Sequence, residues 1–82
     1  MTLGGAVTDL ALQDDYLYLA IEGQGLSVVN VMDALQPVVV AQIDNVDDPR
    51  SVAIAGNTIY LAAGHDGVLV YHFVPPAAIA VP

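Results

Sequence analysis

A chain of 82 residues is one small domain at most, and at this size about 60% of the unfolded surface is buried on folding. Its formal net charge of −8, with Arg50 as its only Lys or Arg, argues against a nucleic-acid partner and against adsorption to anionic lipid headgroups. With no cysteine there is no disulfide framework, thiolate zinc site or thiol nucleophile. The hydrophobic fraction, 56%, calls for either a membrane span or sheets buried on both faces. No run reaches the ~18 uninterrupted apolar residues that a spanning helix needs. The longest apolar stretches are Tyr16–Ile21 and Val74–Val81, the second interrupted by Pro75 and Pro76. Short apolar runs bounded by turn residues are the pattern of doubly buried strands, so buried sheets without membrane insertion are expected. Met1 to Gly5 has neither the basic nor the apolar region of a signal peptide, and the compartment is left open.

In chain order, Val7 to Gln13 reads as a first strand and Asp14-Asp15 as a tight turn. Tyr16 to Ile21, rich in aromatic and branched residues, is the second strand. Glu22-Gly23-Gln24-Gly25 closes the next hairpin, and Leu26 to Val31 is the third strand. Met32 to Gln36 forms a loop ended by Pro37, before an outermost strand from Val38 to Ile43. The segment Asp44 to Pro49 then leads to Arg50, where the pattern starts again.

The second half repeats the first at an offset of 42 residues without a gap. Leu10-Ala11-Leu12 falls on Val52-Ala53-Ile54, and Tyr18-Leu19-Ala20 on Tyr60-Leu61-Ala62. Asp14-Asp15 falls on Gly56-Asn57, residue types that tolerate the positive φ of two-residue hairpins. Gly25-Leu26 falls on Gly67-Val68, Asn30 on His72 and Val31 on Phe73. Four strands every ~40–45 residues is the period of a propeller blade, whose two faces are covered by neighbouring blades. The expected fold is therefore all-β: two four-stranded antiparallel β-propeller blades in a single β domain spanning 1–82. Blade 1 covers about 7–48 and blade 2 about 49–82. In blade 2 the fourth strand is short or incomplete, because Pro75-Pro76 and Pro82 bracket Ala77 to Val81.

The run Tyr18-Leu19-Ala20, Gly25-Leu26-Ser27-Val28-Val29-Asn30-Val31 and Pro37 resembles the LVIVD-repeat family. Repeats of that family read as Tyr-hydrophobic-Ala, Gly-Leu, an aliphatic run to an aspartate, and a proline before the outer strand. The second copy, Tyr60-Leu61-Ala62 and Gly67 to Phe73, follows the pattern less closely. Asn30 and His72 stand where the family has its aspartate, a residue expected to serve a turn or inter-strand hydrogen bond. The resemblance covers residues 7–74 and implies propeller blades, an association with bacterial and archaeal secreted or cell-surface proteins, and no single chemistry.

Propellers have at least four blades, and two would leave large apolar sheet faces wet. Closure is expected either by homo-oligomerisation or as part of a larger chain. Three or four copies joined head to tail would give six or eight blades. The expected function is a non-catalytic repeat module for scaffolding or protein–protein interaction, with the chain itself as partner and no cofactor. One alternative is a metal-dependent propeller hydrolase holding Ca²⁺ at an acidic channel mouth, where Asp44, Asp47, Asp48, His65 and Asp66 are the candidate ligands. Those residues lack a metal-loop spacing, and turn formation with solubilising charge also accounts for them. The loop matching Gly64-His65-Asp66-Gly67 has no histidine, so a turn is enough there. His72 and the four tyrosines read as packing residues, and no Gly-x-Ser-x-Gly elbow is present. A second alternative is a fragment or engineered piece of a larger propeller with no activity of its own.

Overall fold

The computed structural model describes residues 5–44, 46 and 48–74, and the backbone of 78–80. Strands β1 (Val7–Gln13), β2 (Tyr16–Ile21), β3 (Gly25–Asn30) and β4 (Val38–Ile43) form one antiparallel sheet in that order. Strands β5 (Ser51–Ala55), β6 (Thr58–Ala62), β7 (Val68–Val74) and β8 (Ala78–Ala80) form a second sheet of the same order. The fold is all-β, with two blade-like meanders related by the repeat. Strand β8 pairs with β7 over only three residues, and Pro75, Pro76, Ala77, Val81 and Pro82 lie outside the described residues.

Turn chemistry sets the strand ends. The first residue of each tight hairpin takes a positive φ, 56° at Asp14 and 60° at Gly56. The backbone bonds that follow are also repeated: Val31 N–H donates to Asp15 O at 2.8 Å and Phe73 N–H to Asn57 O at 2.9 Å. Strand β3 starts one residue earlier than the hydrophobic pattern suggests, at Gly25, whose φ is 141°. A Cβ at Gly25 would collide with the carbonyl oxygen of Ile43, so the β3–β4 approach requires glycine there. Between β6 and β7 the chain makes a 3₁₀ turn over Gly64–Asp66.

Side-chain alternation gives each sheet two faces. In blade 1 Ala11, Tyr18, Val28 and Ala41 align across the strands on one face. In blade 2 Val52, Leu61 and Leu69 align, as do Ile54, Ile59 and Tyr71. These two faces meet in the main core, which contains Tyr18, Ala20, Leu26, Val28, Val52, Ile59, Leu61, Ala63 and Phe73. Phe73 is 1% exposed and meets Tyr16 and Tyr18 edge-on, with ring centroids 5.1 and 6.1 Å apart. Leu19, Ile21 and Val29, on the other face of blade 1, make a second buried cluster. Leu10 and Leu12, opposite Leu19 and Leu17 on that face, are 57% and 63% exposed.

Candidate functional site

The most developed polar arrangement lies along the seam where β1 runs beside β5. Thr8 is the extra residue of a β-bulge between Val7 and Asp9. Its hydroxyl donates to the carbonyl oxygens of Pro49 at 2.9 Å and Ala20 at 3.2 Å. One residue on, Val52 N–H of blade 2 donates to the Asp9 carboxylate at 2.9 Å. At the other end of the strand, Gln13 Nε2 donates to the Gly56 carbonyl oxygen at 2.6 Å. Asp9 and Gln13 share a face with Tyr18 and Ala20, which is largely apolar, with Asn30 at its end. On such a face a polar side chain needs a partner, and Asp9 and Gln13 each find it on the neighbouring blade. The partners are backbone groups, so no pattern of side-chain types pointed to the pairing.

The linker between the blades is anchored rather than free. Val46 and Pro49 are buried, and Val46 belongs to the main core. Between them, Asp48 pairs with Arg50 at 2.9 Å, both side chains remaining substantially exposed. The Asp48 carboxylate also lies against Gly64, where a Cβ would collide with it. Gly64 accordingly takes a φ of 50° with only hydrogen on its α-carbon facing the acid.

Of the residues considered as Ca²⁺ ligands, Asp48 is brought to the turn that carries His65 and Asp66, both of which are exposed. Asp44 is exposed on the linker, and Asp47 lies outside the described residues. Among the described residues no three His, Asp or Glu side chains converge as a ligand set, and no pocket is enclosed. The nearest partner of Asp48 is a guanidinium, whose charge opposes cation binding at that carboxylate. Tyr16, Tyr18 and Tyr71 pack as expected, whereas Tyr60 is exposed on the outward face of blade 2. Burial raises the Tyr18 phenol above its ordinary pKa of 10.0, with Tyr16 and Asp14 adding to the effect. Burial also raises Tyr71, helped by Asp66.

Asn30 shows what its position in the repeat does. Its side-chain oxygen accepts the Met32 N–H at 2.9 Å, the short-range bond by which Asx residues turn the chain. Asp33 accepts the Leu35 N–H at 3.0 Å in the same loop. An amide oxygen and a carboxylate oxygen both accept such a bond, so asparagine keeps the turn in place of the aspartate of the repeat pattern.

No curated protein and no solved structure matches the chain. A family profile described as the LVIVD repeat matches residues 4–44, half of the chain's length. The matched segment carries the whole of β1 to β4 together with the Asn30 turn. The chain belongs to the LVIVD repeat family.

Proposed function

We propose that this chain is a non-catalytic β-propeller module that closes into a ring by head-to-tail association with copies of itself, and that the ring is a scaffold for protein–protein interaction. The observation that carries the reading is the way the two blades meet. The seam face of blade 1 carries Tyr18, Ala20, Leu26 and Val28, whereas that of blade 2 carries Ile59, Leu61 and Leu69. At the 42-residue offset, Ile59 and Leu61 correspond to Leu17 and Leu19, not to Tyr18 and Ala20. The front of one blade thus lies on the back of the next, a heterologous contact that propagates in one direction. Each blade keeps one face that has no counterpart within the pair.

In blade 2 that face carries Ala53, Tyr60, Ala62 and Val70, with Tyr60 42% and Val68 63% exposed. In blade 1 it carries the exposed Leu10 and Leu12. Exposure of large apolar side chains on both outward faces is the usual mark of an association surface. The non-catalytic part of the reading rests on composition, since there is no lysine or cysteine and Arg50 is engaged by Asp48. Sedimentation velocity and light scattering over a concentration series test the assembly. Three or four chains per particle is the expected result, and a folded monomer at every concentration refutes it.

A further inference from the structure

We infer that the seam between copies repeats the geometry of the internal seam but without the tethers that Asp9 and Gln13 supply there, so that it is the weaker of the two seams. The inference rests on the self-assembly reading above. At the repeat offset the tethering residues Thr8, Asp9 and Gln13 become Arg50, Ser51 and Ala55. Their partners Pro49, Val52 and Gly56 become Val7, Leu10 and Asp14 of the next copy. The surface of one chain that would carry the tethers is therefore Ser51, Ala53 and Ala55 on β5. It faces β1 of the next copy.

The donor side of the empty tether is in place. In an antiparallel ladder, N–H groups point alternately toward the paired strand and away from it. Val52 N–H points away from β6, because it is bonded to Asp9. Leu10 occupies the equivalent rung of β1, opposite Leu19 as Val52 is opposite Leu61, and its N–H is directed off the free edge in the same way. A carboxylate at position 51 reaches that N–H as Asp9 reaches Val52. The Ser51 hydroxyl, one bond shorter from Cβ, does not span the same gap. Ala55 has no donor for the Asp14 carbonyl, where Gln13 supplies one for Gly56. At the internal seam the matching positions hold Asp9, Ala11 and Gln13, so side chains of that size fit the repeated geometry.

The test is to install the missing tethers. Ser51→Asp, Ala55→Gln and the double variant are compared with the parent chain by sedimentation velocity across a dilution series, with circular dichroism to verify the fold. Each added bond is expected to lower the concentration at which the ring dissociates, by about tenfold for the double variant. Ala55→Gln adds no charge, so it reads the geometry even if a further carboxylate repels an already acidic neighbour. If the parent assembles and neither single variant nor the double tightens the ring, the seam geometry is wrong while the assembly stands. If parent and variants are all monomeric, the assembly reading fails and the inference with it.

Discussion

Asp9 offers the sharpest test of how the two blades are held together. Replacement by alanine leaves the Val52 N–H, now bonded at 2.9 Å, without its acceptor at a seam where Val52 itself is buried. Hydrogen bonds to a charged group contribute about 1.5–3 kcal/mol, and water reaching the half-buried Asp9 lowers this to about 1–2 kcal/mol. Asp9→Asn keeps an acceptor oxygen but not the charge, so about half of that loss is expected. Ser51→Ala at the equivalent position of blade 2 touches no internal seam and is expected to change stability by less than about 0.5 kcal/mol. Urea unfolding followed by circular dichroism gives these differences. All variants are compared at one fixed protein concentration, because association contributes to apparent stability. In a chain of this size 1 kcal/mol corresponds to about 4–8 °C in Tm, well within the precision of a thermal melt. If Asp9→Ala and Ser51→Ala are equally mild, Asp9 is only a solubilising charge and the tether has no energetic weight.

Phe73→Ala removes the ring that fills the seam beneath Tyr16 and Tyr18, and a loss of about 3–5 kcal/mol is expected in the same unfolding assay. Phe73→Leu, which retains apolar volume but not the edge-on contacts, is expected to lose clearly less. Gly25→Ala combines a φ of 141° with a collision against the Ile43 carbonyl and is expected to cost about 2 kcal/mol or more. Gly23→Ala, with open space around its Cβ, isolates the backbone contribution. The raised phenol pKa values of Tyr18 and Tyr71 mean that folding favours the protonated form. Their contribution is complete below about pH 10, where unfolded tyrosine ionises, and is lost as pH rises through that value toward the folded pKa. Melting curves from pH 9 upward should show this decline, and the Tyr18→Phe, Tyr71→Phe double variant should flatten it. An identical decline in the double variant would exclude both residues as its source.

Much of the architecture was legible because the determinants of strands and hairpins are local. Tyr16 to Ile21 and its copy at Thr58 to Ala62 alternate between the two faces of their sheets, and Asp14 and Gly56 supply the positive φ of the turns that precede them. The early start of β3 at Gly25 was less legible, since it depends on how closely Ile43 of β4 approaches. The acidic linker reads in the sequence as a run of carboxylates, but burial of Val46 and Pro49 turns it into an anchored connection. Among the described residues Asp48 then meets Arg50 and Gly64.

The amino-acid sequence by itself determined the repeat, the strand order within each meander and the hairpin chemistry, because spacing, alternation and turn residues act over a few positions. The pairing of unlike blade faces, and the tethers from Thr8, Asp9 and Gln13, were decided only in the tertiary structure. Those contacts join residues about 42 positions apart through backbone carbonyl and N–H groups, which every residue type carries alike. A side-chain pattern records that Asp9 and Gln13 need partners. Which strand edge supplies them depends on how the two sheets stack.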